Sequence, residues 1–119
     1  MPQVMVEYSA DIEFSTSMKT IVSGLQESMQ ETPWINIETV KTRLHPVEHY
    51  FVGSNPEKKF IHIEIKLFLK DRTDEMIQGL LDKLLAYFKS MLNESNPVEL
   101  TAEASFLESL YYKKLIIDT

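Results

Sequence analysis

The chain has 119 residues, 44% hydrophobic and 25% charged, the balance of an ordinary soluble globular protein with room for one domain over residues 1–119. Twelve Lys and Arg against eighteen Asp and Glu leave a net charge of −6, which weighs against a nucleic-acid partner and obliges any anionic ligand to find a local basic cluster. The absence of cysteine excludes disulfides, thiolate metal sites and cysteine nucleophiles; no apolar run of ~18 residues and no signal-peptide pattern is present, so a cytoplasmic protein without a membrane partner is expected.

In chain order, MPQVMVEYSA alternates Val4, Val6 and Tyr8 against Gln3, Met5 and Glu7, which predicts a strand beginning almost at the first residue. STSMKTIVSGLQESMQE places Met18, Ile21, Val22, Leu25 and Met29 on one helical stripe, with Ser15 or Thr16 as N-cap and Pro33 closing the segment. INIETVKTRL reads as a second strand with Thr39, Lys41 and Arg43 on one face. HPVEHYFVGSNPEKK predicts a short strand near Tyr50 and then a turn.

The second half repeats the plan. FIHIEIKLFL separates Ile61, Ile63, Ile65, Leu67 and Leu69 from Phe60, His62, Glu64, Lys66 and Phe68. KDRTDEM is a break with a capping residue, and residues 74–93 carry a broad apolar helical stripe that reads as core. VELTAEASFL alternates as a further strand, and the tail LYYKKLIIDT is apolar enough to pack on something, another subunit included. Two strand-helix-strand units with right-handed crossovers predict an α+β fold: a doubled β-α-β chain with one four-stranded sheet and both helices on one face. The other face is expected to keep several apolar groups, the usual mark of an oligomer contact.

Pro2 directly after Met1, at the head of a strand in a small doubled β-α-β chain, resembles the tautomerase superfamily. Within it the chain is most similar to the 5-carboxymethyl-2-hydroxymuconate isomerase family. The resemblance covers nearly the whole chain, through MPQVMVEYS, VKTRLH, FIHIEIKL, DRTDEM and VELTAEASFLE. It implies a homotrimer and a cofactor-free isomerase or tautomerase. The implied substrate is a small anionic acid, an unsaturated hydroxy- or keto-dicarboxylic or tricarboxylic compound, whose proton is moved by the N-terminal proline as general base.

The chemistry is sound. With Met1 removed, Pro2 carries a secondary amine, and burial and nearby cations both disfavour its charged form, moving it from the α-amino range toward neutrality. The family holds substrate carboxylates and the dienolate with basic residues, commonly arginines. Arg72 in DRTDEM matches one of them, if one extra residue is allowed after FIHIEIKL. In VKTRLH the family pattern has two arginines flanking one residue, where this chain has Lys41 and Arg43. Lys41 keeps the charge but lacks the planar fork that grips a carboxylate. Bland readings stand beside these: Pro2 as a tolerated strand-opening proline, and the three cations as solvated surface charges. His45 and His49 straddle Pro46 after a strand, which argues against a helical metal site. His62 matches a family histidine but reads as structural, and Glu7 also matches without a role. The rival expectation is a non-catalytic oligomeric interaction module, tautomerase-like or ferredoxin-like, which the same elements would build.

Overall fold

The alternating Val4, Val6 and Tyr8 form the first strand, β1 (Gln3–Ser9), in the computed structural model, which describes residues 2–68 and 71–118. After it come α1 (Met18–Gln30), β2 (Lys41–Val47), β3 (Lys59–Leu67), α2 (Asp74–Met91) and β4 (Val98–Phe106), with 3-10 turns at Ile37–Thr39 and Ser109–Tyr111. The sheet order is β2-β1-β3-β4, with β1 parallel to β2, antiparallel to β3, and β3 parallel to β4. Each half is a β-α-β unit, and the halves join through the central antiparallel pair. This is the doubled α+β arrangement expected.

Val4, Val6, Ile61, Ile63, Ile65 and Leu67 are fully buried against Ile21, Leu25 and Met29 of α1 and Leu80, Leu84 and Phe88 of α2, in one core. Both helices therefore cover the same sheet face, and the aliphatic series of β3 is the one turned toward them; Leu69 lies outside the described residues. Each such side chain contributes about 1.5–3 kcal/mol on burial. A one-residue slip would turn His62, Glu64 and Lys66 inward, so the alternation also specifies the register.

Several local expectations are corrected. The cap of α1 is Ser17, whose Oγ accepts from the Thr20 N–H at 3.2 Å. Ser15 is tied elsewhere, through its N–H and hydroxyl, to the Met91 carbonyl. Residues 37–39 form a tight turn capped by Asn36, so β2 begins only at Lys41 and runs through Pro46. Proline is tolerated there because β2 is an edge strand. Tyr50 stands in no strand; the nearby pairing is a single bridge between Val52 and Asn55 around Gly53, whose φ of 58° suits glycine. Helix α2 stops at Met91, because Leu92 is extended and bridges to Phe14.

The open face also differs from expectation. Register and alternation place Gln3, Met5 and Glu7, then Lys41, Arg43 and His45, then Phe60, His62, Glu64 and Lys66, and Glu99, Thr101 and Glu103 there. Apart from Met5 and Phe60 these are polar or charged. The exposed apolar groups are concentrated instead in the tail, at Leu110, Tyr111, Leu115, Ile116 and Ile117.

Candidate active site

The predicted site residues gather at one end of the sheet, because parallel pairing sets the start of β2 beside the start of β1, and antiparallel pairing sets the end of β3 there too. Pro2 is buried just before β1, and its carbonyl accepts the Lys41 N–H at 3.0 Å. In the alternation of β1 it falls in the helix-facing series with Val4. The status of Met1 lies outside the described residues.

Lys41 is exposed on the open face opposite Gln3. Arg43 stands two residues further along, opposite Met5, and its Nη1 donates to the Gln3 Oε1. Lys66 is opposite Gln3 on the other side. Lys41 and Lys66 thus flank Gln3, and Arg43 flanks Met5, whose neighbour on the β3 side is Glu64; Glu103 pairs with Glu64, and Glu7, His62 and Glu99 lie further along the face. Lys41 and Lys66 stand in the first row of the face, at the Pro2 end, and Arg43 shares the second row with Glu64 and Glu103. Such a local field favours an anionic ligand despite the net charge.

Arg72 comes from the turn before α2, which Thr73 caps by accepting from the Met76 N–H. The guanidinium is half-buried, lies 5.2 Å from the centre of the Trp34 ring, and donates through Nη1 to the Phe68 carbonyl. Phe68 follows the end of β3, so Arg72 is brought to the Pro2 end. It is held there by aromatic stacking and a backbone acceptor. Arg72 and Pro2 belong to the helix side of the sheet, and Lys41 and Arg43 to its open side.

The tail was not foreseen as part of this region. Tyr112 meets the Phe68 ring edge-on with centroids 5.3 Å apart. Tyr112, Lys114, Leu115 and Ile116 then line a cleft of about 250 Å³ with Glu38, Thr39 and Lys41. Lys66, Trp34 and Lys114 carry no local motif, and their placement here depends on register and on the path of the tail.

The histidines are sited elsewhere. His45 lies in β2 and His49 after it, so neither stands on a helix. His62, Glu64 and Glu103 bring one potential metal-ligand atom each within 4.8 Å of one another. The imidazole is already held on both sides, with Nδ1 2.7 Å from the Thr101 Oγ1 and Nε2 3.1 Å from the Glu103 Oε1. Among the described residues no helix is long and apolar enough to cross a membrane.

Comparison with known proteins agrees with this architecture. Residues 2–114 match the family model of 5-carboxymethyl-2-hydroxymuconate isomerase. No curated protein matches the sequence. Among solved structures, a 5-carboxymethyl-2-hydroxymuconate delta-isomerase is similar with a TM-score of 0.81 at 14% identity, over 97% of this chain and 88% of that one. A 5-carboxymethyl-2-hydroxymuconate isomerase from Deinococcus radiodurans R1 gives 0.78 at 16% identity, over 96% and 88%. A fused 4-OT described as a symmetric trimer gives 0.69 at 14%, over 93% of each chain. At these identities the structures establish the fold, and the family match over nearly the whole chain establishes the rest: the chain belongs to the 5-carboxymethyl-2-hydroxymuconate isomerase family and is an isomerase of the tautomerase fold.

Proposed function

We propose that the protein moves a proton within a small unsaturated hydroxy- or keto-acid carrying two or three carboxylates, without a cofactor, and that Pro2 is the base. The secondary amine exposed by loss of Met1 takes a proton from the substrate's enol oxygen or an activated carbon, leaving a dienolate. The resulting ammonium returns that proton to a different carbon of the conjugated system, so no electrons are gained or lost. Lys41 and Arg72, with Arg43 further out, bind the carboxylates and the oxygen on which the dienolate charge collects. Positive groups placed where charge develops are the largest expected contribution to the rate.

The observation that carries this reading is the burial of Pro2 at the end of the sheet where Lys41 and Lys66 flank Gln3 and Arg43 stands one step further along. A homotrimer is part of the proposal. It is supported by the trimeric neighbour of the same fold and by a sheet face that no helix covers.

The test compares protein whose mass shows Met1 removed with protein that retains it, on 2-hydroxymuconate followed by ultraviolet absorbance. Trimmed protein is expected to ketonise the acid. Protein with Pro2 in an amide is expected to be inactive. Alkylation of Pro2 by a haloketone, located by mass spectrometry, should abolish the activity. Trimmed protein that is inactive on such acids, with Pro2 titrating as an ordinary amine, would overturn the proposal and leave a binding module.

A further inference from the structure

The tail after β4 is too exposed to be held by burial: Leu115, Ile116 and Ile117 are 85%, 72% and 78% exposed. Its anchor is local. The turn at Ser109–Tyr111 closes with the Tyr112 N–H donating to the Ser109 carbonyl, and Tyr112 then rests on Phe68. The Phe68 carbonyl in turn accepts a hydrogen bond from Arg72 Nη1. From this anchor at the end of β3 the tail reaches the start of β2, where it forms the cleft with Glu38, Thr39 and Lys41. Since β1 lies between β3 and β2, the path crosses the end of the sheet at which Pro2 is buried.

Lys41 and Lys114, from opposite parts of the chain, both line the cleft, with Tyr112, Leu115 and Ile116 beside them and Glu38 as the one acidic residue among the described residues that line it. A single ammonium is a point charge that cannot match both oxygens of a carboxylate in a plane. Two ammonium groups on one cleft can take one oxygen each, the arrangement a guanidinium achieves alone. The aliphatic wall accommodates the hydrocarbon part of a conjugated acid.

We infer that Lys114 is a substrate-binding residue. With Lys41 it holds the carboxylate of a di- or tricarboxylic acid that is remote from the atoms exchanging a proton with Pro2. The inference rests on the isomerase reading of this site and adds the C-terminal tail to it.

The experiment uses the trimmed full chain, Lys114→Ala, and Lys113→Ala as the control for an exposed neighbouring charge outside the cleft. Two substrates are compared: 2-hydroxymuconate, with two carboxylates, and 2-hydroxypenta-2,4-dienoate, with one. Binding of muconate and of sorbate, the unreactive acids with two and one carboxylates, is measured by calorimetry. Lys114→Ala should raise KM for the dicarboxylate and weaken muconate binding by about 5-fold, the scale of a partly exposed ion pair. It should leave kcat, the monocarboxylate and sorbate unchanged, and Lys113→Ala should change none of these. Equal effects on the two acids, or a Lys114→Ala that behaves like Lys113→Ala, overturns the inference. If the trimmed wild type isomerises neither acid, the isomerase reading fails, and muconate binding alone still decides for or against Lys114.

Discussion

The backbone N–H of Lys41 donates to the carbonyl oxygen of Pro2 across 3.0 Å, so the proposed base and a proposed substrate cation are joined by the sheet itself. Only the ammonium of Lys41 is free to vary, since its backbone is fixed as the first rung between β1 and β2. Lys41→Ala should therefore leave the fold intact and raise KM for a dicarboxylate by about 5-fold, with Lys41→Arg at or below the wild-type KM because it restores a planar fork. Steady-state kinetics on the trimmed protein checks this, and a Lys41→Ala indistinguishable from wild type would remove Lys41 from the site.

Arg72→Ala should reduce kcat/KM far more than Arg43→Ala. A charge-assisted bond made in the transition state contributes about 2–4 kcal/mol, whereas a rim charge contributes little. Arg72 also rests on Trp34 and holds Phe68, so its loss should lower stability by about 1 kcal/mol as well. Urea unfolding beside the kinetics separates the two effects. Equal and negligible kinetic losses in both variants would show that these positions do not touch substrate.

Light scattering should give the mass of three chains. The open face is mostly charged, with Lys41, Arg43 and Lys66 beside Glu64 and Glu103 and with Glu7 and Glu99 beyond them, so association between copies should weaken as salt screens these charges. A monomer at low salt would refute the trimer.

Glu94 ties the far end of the sheet to the loop after α2. Its side chain is 3% exposed; the Oε1 lies 2.9 Å from the Lys59 Nζ and accepts the Glu13 N–H at 2.8 Å. Burial pushes its carboxyl up, but the backbone N–H groups of Glu13 and Asn96 and the Lys59 ammonium outweigh this and hold it at about 2, against 4.5 ordinarily. A carboxylate depressed in the folded state adds stability above its unfolded pKa and loses it as pH falls through the folded one. Stability should therefore fall between about pH 5 and pH 2, with Glu94 contributing on the order of 1–2 kcal/mol. Glu94→Gln should be less stable at pH 7 and lose that part of the pH dependence, read by urea unfolding at several pH values.

Tyr87 of α2 donates its hydroxyl hydrogen to the Ile21 carbonyl of α1 at 2.6 Å, directly over Gly24. A Cβ at Gly24 would overlap that hydroxyl oxygen. Gly24→Ala, which in an open helix would gain about 1 kcal/mol, should here destabilise by about 1–3 kcal/mol. Combining it with Tyr87→Phe should cost less than the two single changes added together, as thermal unfolding of the four proteins can show.

The local patterns of the chain are strong where a single element can satisfy them. The alternation in β1, β3 and β4 and the stripes of α1 and α2 decided element type, order and the doubled plan, because burial of one face dominates each of those segments. They failed where a side chain or a tertiary partner competes: Asn36 capped a turn ahead of β2, and the Met91 carbonyl claimed Ser15, leaving Ser17 to cap α1. Pro2, Lys41, Arg43 and Arg72 could be named as candidates from motif alone. Their convergence at one end of the sheet, the part Lys66 plays in its charge, the stacking of Arg72 on Trp34 and the return of Lys114 to Lys41 were decided by strand register and the course of the tail. Those are properties of residues far apart in the chain, and local periodicity carries no record of them.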